Sequence, residues 1–299
     1  MALSDKTKTW LTKQNISIKD KTVLVTGSNS GVGLKTIETS LFLGANVIMA
    51  CRNMEKASNA KNDLLKDYPE ANIDIMQIDL SDFSSIDAFA DALISNKIDI
   101  DIFVNNAGTF HKRGVTKDGF ENVIGTNYFG VYRLTEKIIP YLKTLTHKVF
   151  YYNTISVVHK LVKINYKDFY NTKHYEHFRV YSKSKLCLAK YSYDLAKKLE
   201  KTNVCVYMIH PGISVTPLGA NAFGNVIKIL ANALRGIFNS PEKSSLAMVY
   251  TISNNSPTGS ITGPSFLEVW GYPKSGKVRR CVKEGADELI SFTESEIYH

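Results

Sequence analysis

Residues 22–33 read Thr-Val-Leu-Val-Thr-Gly-Ser-Asn-Ser-Gly-Val-Gly, a short apolar run followed by a turn with three glycines. The run 22–26 has the composition of a buried strand, and a helical pattern begins at residue 33. Glycines in the turn let the backbone approach a ligand closely, and the free N–H groups at the helix start attract an anion. The stretch therefore predicts a pyrophosphate-binding turn of the dinucleotide type, in the spacing G-x-x-x-G-x-G. The residues predicted to line the cofactor here are Gly27, Ser28, Asn29, Ser30, Gly31, Val32 and Gly33.

Apolar runs of strand length alternate with helix-length segments along most of the chain. The predicted strands are 22–26, 46–51, 73–78, 100–105, 148–153, 204–209 and 260–266. The predicted helices are 33–43, 55–67, 84–95, 121–145, 179–201, 241–253 and 286–296. Nearly continuous hydrophobic strands separated by helices are typical of a parallel sheet covered on both faces. We predict an α/β fold: a single-domain, Rossmann-type, doubly wound parallel sheet of about seven strands over residues 20–299, after an N-terminal extension of residues 1–19.

Composition and charge argue against several classes of protein. The chain has 299 residues, of which 44% are hydrophobic and 22% charged, as in ordinary globular proteins. Its formal net charge of +9 comes from scattered lysines without a basic run, which favours a solvated surface over a nucleic-acid partner. The four cysteines form no C-x-x-C pair, and His174 and His177 lack a third ligand, so we predict no metal site.

Targeting signals are also missing from the sequence. No stretch approaches the roughly 20 apolar residues that span a bilayer, and the polar residues 1–20 lack the pattern of a secretory signal. We therefore expect a cytoplasmic protein without a transmembrane segment.

The end of the second predicted strand bears on the choice of cofactor. NAD-selective sites place an acidic residue near this point to accept a hydrogen bond from the ribose 2′-hydroxyl. This chain instead has Arg52, whose guanidinium can bind a 2′-phosphate. The alternative is an ordinary surface arginine. The lack of an acidic residue at this point and the presence of Arg52 together favour NADP(H).

Motifs in a fixed order along nearly the whole chain resemble those of the short-chain dehydrogenases/reductases. The turn at 26–33 is similar to the T-G-x-x-x-G-x-G of that family. The further matching segments are Asp79-Leu80, Asn105-Asn106-Ala107-Gly108, Asn127, Asn153-Thr154-Ile155-Ser156, Tyr181 with Lys185, and Pro211-Gly212 with Thr216. One departure is Ile155, which stands in place of the first serine of the family's N-x-S-S.

This resemblance implies an oxidoreductase that transfers a hydride between NADP(H) and a carbonyl or alcohol carbon. It implies that Tyr181 exchanges the proton, that Lys185 lowers the pKa of its phenol and holds the nicotinamide ribose, and that Ser156 binds the substrate oxygen. Asn127 is implied to hold a relay water. The resemblance further implies cofactor contacts from Asp79, Leu80, Asn106, Ala107, Gly108, Tyr181, Lys185, Pro211, Gly212, Ile213 and Thr216.

Within the family, the chain is similar to the retinol dehydrogenases and the WW-domain-containing oxidoreductase. Shared segments are Ala50-Cys51-Arg52, Val158-His159-Lys160 and Ser240-Pro241-Glu242. This similarity implies an apolar carbonyl or alcohol substrate of lipid, retinoid or sterol type. Two alternatives stay open: a catalytically silent, cofactor-binding regulatory protein, and a double-bond reductase like protochlorophyllide reductase.

An apolar stripe at helical spacing follows the last predicted site residues, within 223–238. It could form a lid over an apolar substrate, a dimer face, or a weak contact with a membrane surface. We favour the lid. The predicted helices 121–145 and 179–201 correspond to the dimer helices of many family members, so we expect a homodimer or a monomer.

Overall fold

Eight strands form one twisted sheet in the computed structural model, which describes residues 2–110, 113–171, 175–212, 239–266 and 268–298. The strands are β1 (Thr22–Thr26), β2 (Asn46–Cys51), β3 (Ile73–Gln77), β4 (Ile102–Asn105), β5 (Val149–Thr154), β6 (Val204–Ile209), β7 (Ile261–Phe266) and β8 (Trp270–Gly276). Their order is β3-β2-β1-β4-β5-β6-β7-β8, and only β8 runs antiparallel to its neighbour. The order reverses between β1 and β4, and in such sheets ligands bind outside the carboxyl ends of the strands at this point.

Helices connect the parallel strands, and further helices precede the first strand and follow the last one. They are α1 (Asp5–Lys13), α2 (Gly31–Phe42), α3 (Met54–Asp67), α4 (Phe83–Ser95), α5 (Asn122–Ile124), α6 (Gly130–Leu142), α7 (His177–Lys198), α8 (Pro241–Ser253), α9 (Arg280–Lys283) and α10 (Ala286–Tyr298). Asp82 caps α4 by accepting hydrogen bonds from the backbone N–H groups of Ser84 and Ser85. None of the helices within the described ranges is long and apolar enough to cross a membrane.

Both faces of the sheet are buried, which is why the strands are almost continuously apolar. Tyr151 and Tyr152 are neighbours in β5, so their side chains point to opposite faces, and both are fully buried. Tyr151 stacks on Phe103 in one core, while Tyr152 stacks on Tyr207 in the other. The predicted α/β, Rossmann-type sheet is thereby confirmed, with one strand more than expected.

The additional strand, β8, was missed because its sequence looks like a loop. It contains two glycines and Pro273, which lies opposite Pro264 of β7 in the pairing register. Proline is tolerated at the edge of a sheet, where its missing N–H breaks no ladder.

The N-terminal extension predicted for residues 1–19 contains helix α1, which packs against the rest of the protein. Leu11 is buried in the same core as Tyr152, and Trp10 stacks on Tyr272 of β8 with ring centroids 5.6 Å apart. The Ser4 hydroxyl donates a 2.5 Å hydrogen bond to Glu242 at the start of α8. Residues 2–19 therefore pack against β8 and the start of α8.

Candidate active site

The glycine turn after β1 has the geometry expected of an anion-binding loop. Gly27 and Gly31 have φ angles of 65° and 59°, a region that favours glycine. A Cβ on Gly33 would lie 2.6 Å from the carbonyl oxygen of Gly27, so no side chain fits there. Ser30 begins α2 but makes no side-chain capping bond. The N–H groups of the first helical turn are therefore available to an anion, and the turn fits a pyrophosphate.

The end of β4 is tied to this turn. The Thr26 hydroxyl accepts hydrogen bonds from the backbone N–H groups of Asn106 and Ala107, each 3.0 Å long. The Asn106 side chain donates to the carbonyl oxygens of Thr26 and Gly27 at 2.9 and 3.3 Å. The strand-end residues predicted to contact the cofactor thus lie directly beside the glycine turn.

Arg52 and Asp79 face each other at the carboxyl ends of β2 and β3. The Arg52 guanidinium lies 4.0 Å from an Asp79 carboxylate oxygen, and two thirds of the arginine side chain is exposed. The other Asp79 oxygen accepts hydrogen bonds from the backbone N–H and hydroxyl of Ser81. Leu80 has a buried side chain, and its carbonyl oxygen packs against Gly130, so any cofactor contact of Leu80 would involve its backbone.

Asn127 lies in a single π-helical turn between α5 and α6, at Gly125–Phe129, which breaks the continuous helix predicted for 121–145. Its Nδ2 donates to the Thr109 carbonyl at 2.9 Å and to the Ser184 hydroxyl at 3.2 Å. Its Oδ1 accepts from the Thr109 N–H at 2.7 Å. The fully buried amide therefore fixes the chain after β4, and π-helical turns are frequent at functional sites.

Lys185 lies on α7, one turn after Tyr181, and its ammonium group is buried. Nζ donates a 2.8 Å hydrogen bond to the Thr154 carbonyl at the end of β5. The same nitrogen lies 5.9 Å from the centroid of the Tyr181 ring. Burial lowers the pKa of Lys185 to about 8, because the charged form loses solvation. At neutral pH the ammonium form still predominates.

Tyr181 is half-buried, and Phe110 packs against it with ring centroids 5.0 Å apart. Burial raises the pKa of the Tyr181 phenol to about 12, against which a hydrogen bond with the Ser156 side chain acts, and this direction is opposite to the lowering by Lys185 that the family resemblance implies. Ser156 follows β5 and is 8% exposed. Three residues that are up to 29 positions apart in the sequence thus meet at the carboxyl end of β5: Ser156, Tyr181 and Lys185.

Two buried histidines, His159 and His210, flank this group. His159 Nδ1 lies 2.5 Å from the Ser156 carbonyl oxygen, and His210 is the residue directly after β6. Since a carbonyl only accepts, Nδ1 of His159 carries the proton. Burial lowers the pKa of His159 to about 4 and that of His210 to about 3, so both rings are neutral at physiological pH.

These histidines should make the protein acid-sensitive. An unfolded chain binds a proton on each histidine near pH 6.5, whereas the folded chain does so only near pH 4 and 3. Each histidine therefore contributes stability above pH 6.5 that is lost on acidification, by up to about 1.4 kcal/mol per pH unit. Urea unfolding between pH 7 and 4.5 measures this slope. His159→Asn keeps a donor for the Ser156 carbonyl and should reduce the slope of stability against pH. The control His177→Asn, at an exposed histidine, should leave the slope unchanged. Equal slopes in the wild type and both variants would contradict the assignment.

Pro211 and Gly212 form a corner held from two sides. The Pro211 carbonyl accepts hydrogen bonds from the Ser244 hydroxyl at 2.8 Å and from Asn239 Nδ2 at 3.1 Å. Gly212 has a φ of 75°, and a Cβ there would lie 2.3 Å from the Val269 carbonyl oxygen. Only glycine fits this position. Several features predicted from the sequence lie outside the described residues: the cofactor residues Ile213 and Thr216, the apolar stripe within 223–238, and His174.

No group of three or more His, Cys, Asp and Glu side chains that could hold a metal ion occurs within the described ranges. All four cysteines are free thiols, and Cys51 and Cys187 are buried.

The fold and the site define a Rossmann-type protein with a glycine turn after its first strand. The sequence model of the short chain dehydrogenase family matches residues 21–226, and the chain belongs to this family. Human retinol dehydrogenase 12 is 33% identical over 202 residues, which cover 67% of this chain and 64% of that protein. Human retinol dehydrogenase 14 is 32% identical over 265 residues, which cover 82% of this chain and 77% of the relative.

Among solved structures, an uncharacterized protein from Mycobacterium paratuberculosis is similar with a TM-score of 0.73 and 26% sequence identity, and the match covers 94% of each chain. The matched region spans just under two thirds of the length of retinol dehydrogenase 12. Together, the family model, the retinol dehydrogenases and the solved structure establish the family and the fold of this chain.

Proposed function

We propose that this protein is an NADP(H)-dependent oxidoreductase that interconverts a carbonyl and an alcohol. The observation that carries the proposal is the meeting of Ser156, Tyr181 and Lys185 at the carboxyl end of β5, where α7 packs against the sheet. The glycine turn after β1 lies at the same edge of the sheet, one strand beyond β4. A proton donor and a dinucleotide-binding turn thus share one edge.

The residues at this edge fit a dinucleotide. The uncapped start of α2 would hold the pyrophosphate, Asp79 the adenine, and Arg52 a 2′-phosphate. Asn106, Ala107 and Gly108 would pack along the middle of the cofactor, and Lys185 would bind the nicotinamide ribose. A bound nicotinamide would supply or accept the hydride.

The protein's own residues would then exchange the proton. Ser156 would donate a hydrogen bond to the substrate oxygen and stabilise the charge that develops on it. The Tyr181 phenol, protonated at neutral pH because burial raises its pKa to about 12, would donate its proton to that oxygen. The nearby Lys185 ammonium favours the resulting phenolate by its charge. Asn127 would hold the chain after β4 in place, and a water bound near it would return the proton.

Arg52 should determine the preference for NADPH over NADH. Its guanidinium is largely exposed at the end of β2, where it can bind a 2′-phosphate. Arg52→Ala should weaken NADPH binding by roughly ten- to a hundredfold, the cost of one charge-assisted contact of about 1.5–3 kcal/mol. NADH binding should change little, because NADH lacks this phosphate. Fluorescence titration of both cofactors measures the difference, and equal affinities in the wild type would rule out the assignment.

The substrate is proposed to be an apolar carbonyl or alcohol of lipid, retinoid or sterol type. The named relatives, retinol dehydrogenases, support this class. Phe110 beside the Tyr181 ring adds an apolar wall at the reacting end. We also propose that residues 20–299 act as one catalytic domain, that the protein is cytoplasmic, and that it is a homodimer or a monomer.

A turnover screen tests the proposed function. Purified protein and NADPH are mixed with medium-chain aldehydes, retinal, keto-steroids and quinones, and NADPH oxidation is followed at 340 nm. We expect turnover of at least one apolar carbonyl, and a roughly 10²–10⁴-fold lower rate with Tyr181→Phe. NADPH binding without turnover of any of them would favour the regulatory alternative, and reduction of a carbon–carbon double bond would favour the protochlorophyllide-reductase-like one.

A further inference from the structure

Lys160 and Glu268 form an ion pair that joins two segments on either side of the candidate active site. Lys160 belongs to the 3₁₀ turn Val157–Leu161 directly after Ser156, and Glu268 lies in the turn between β7 and β8. Lys160 Nζ contacts Glu268 Oε2, and the two side chains are only 12% and 31% exposed. An ion pair this far from solvent is screened less than one on the surface.

On the lysine side, the pair is connected to Ser156 by the adjacent histidine. The Ser156 carbonyl accepts two hydrogen bonds from His159, one from the backbone N–H at 3.1 Å and one from Nδ1 at 2.5 Å. These two bonds hold His159 against Ser156, and Lys160 is the next residue in the chain. A displacement of Lys160 would therefore be transmitted to the serine.

On the glutamate side, the pair is connected to the Pro211 and Gly212 corner. The carbonyl of Val269, the next residue, packs against the Cα of Gly212. Gly271 donates a hydrogen bond to Asn239 Oδ1 at 3.3 Å, and Asn239 Nδ2 donates to the Pro211 carbonyl. The turn that carries Glu268 therefore touches the corner directly through Val269, and β8, which follows the turn, reaches the corner through Asn239.

His210, the residue before the corner, fits between these parts. Its Nε2 lies 3.9 Å from the Glu268 carboxylate oxygen that contacts Lys160. Its ring occupies the space that a side chain at residue 263 would need, since a Cβ on Gly263 would lie 2.0 Å from Nε2. The imidazole is thus held between β7 and the ion pair.

We propose that the Lys160–Glu268 ion pair is a positioning device that sets the Pro211 and Gly212 corner against the Ser156 segment. This inference rests on the proposed function, in which Ser156 holds the substrate oxygen, and on the cofactor contact that the family resemblance implies for Pro211 and Gly212. The pair would fix the distance across which the hydride is transferred. Neither Lys160 nor Glu268 is placed in contact with substrate, so both are positioning residues.

The experiment compares Lys160→Met and Glu268→Gln with wild type and with Lys21→Met, which removes the ion pair to Asp101 at the opposite edge of the sheet. Hydride transfer is measured in single turnovers with NADPH and with NADPH deuterated at C4. Because small displacements of reacting atoms are costly, the transfer rate should fall roughly ten- to a hundredfold in the first two variants. The deuterium isotope effect on turnover should rise, and NADPH affinity should change by less than about threefold.

Further variants separate positioning from simple stabilisation. Lys160→Arg keeps the charge and should retain the wild-type rate, and the double variant Lys160→Met/Glu268→Gln should be no slower than either single one. Lower thermal stability in the Lys160 and Glu268 variants, with an unchanged transfer rate and isotope effect, would overturn the proposal.

Hydrogen–deuterium exchange provides a readout that does not depend on turnover. Glu268→Gln should speed exchange in the remote peptides covering 156–161 and 208–212, with and without NADPH, whereas Lys21→Met should not. Faster exchange confined to 268–271 would overturn the proposed coupling. If no carbonyl is turned over by the wild type, the proposed function fails on that result, and the exchange data still decide whether the ion pair couples the two segments.

Discussion

Tyr181→Phe should lower carbonyl turnover by roughly 10²–10⁴-fold, because it removes a positioned general acid from the candidate active site. The phenol is suited to donate at neutral pH, since burial raises the pKa of Tyr181 to about 12 and keeps the proton in place. The variant should bind NADPH normally, because the glycine turn, Arg52 and Lys185 remain. Turnover is measured with a substrate found in the screen, and NADPH binding is measured in parallel by fluorescence.

The variant should also fold normally. The ring keeps its packing against Phe110, and only the hydrogen bond with Ser156 is lost, a change of about 1 kcal/mol. Tyr175→Phe is a matched control, because this tyrosine lies six residues before Tyr181 and its hydroxyl donates to Glu121. Near-normal turnover by Tyr181→Phe, or an equal loss in Tyr175→Phe, would show that Tyr181 is not the proton donor.

Local patterns were sufficient to predict the fold class and to predict which segments meet at the carboxyl ends of the strands. Three features of the site are short-range: the glycine turn, the strand ends, and the i, i+4 spacing of Tyr181 and Lys185. Each can be recognised from a few neighbouring residues, because the backbone geometry that it needs restricts the residue types in that segment. The alternation of strands and helices then requires a parallel sheet, and a parallel sheet brings the strand ends to one edge.

Tertiary contacts explain what was missed. The π turn at Asn127 depends on the backbone of Thr109, 18 residues earlier, so the helical periodicity of 121–145 could not reveal it. Helix α1 has a mostly polar sequence and is stabilised by Tyr272 and Glu242, far along the chain. Lys160 and Glu268 are 108 residues apart and show no local signal, because the sheet brings together the segments that follow β5 and β7.

Lys185→Met should make the protein more stable while removing most of its activity. The Lys185 side chain is 4% exposed, and burial lowers the pKa of its ammonium from 10.5 to about 8. At pH 7 both the folded and the unfolded chain carry this proton, so the folded state bears the full cost of a buried charge, about 3 kcal/mol. Methionine fills a similar volume without charge, although the Thr154 carbonyl loses its donor, at about 1 kcal/mol.

The pH dependence distinguishes this cause from general repacking. The free energy of unfolding should rise by about 1–3 kcal/mol in Lys185→Met at pH 7, measured by urea unfolding without cofactor. The gain should shrink between pH 8 and 10.5, where the folded wild type releases the proton but its unfolded chain does not. Turnover should fall at least roughly 100-fold, since the phenolate of Tyr181 loses its neighbouring positive charge. Lys21→Met, which loses an exposed lysine paired with Asp101, should show no gain in stability. A Lys185→Met protein that is less stable than wild type at pH 7, or equally active, would mean that the buried ammonium is neither costly to the fold nor needed for proton transfer.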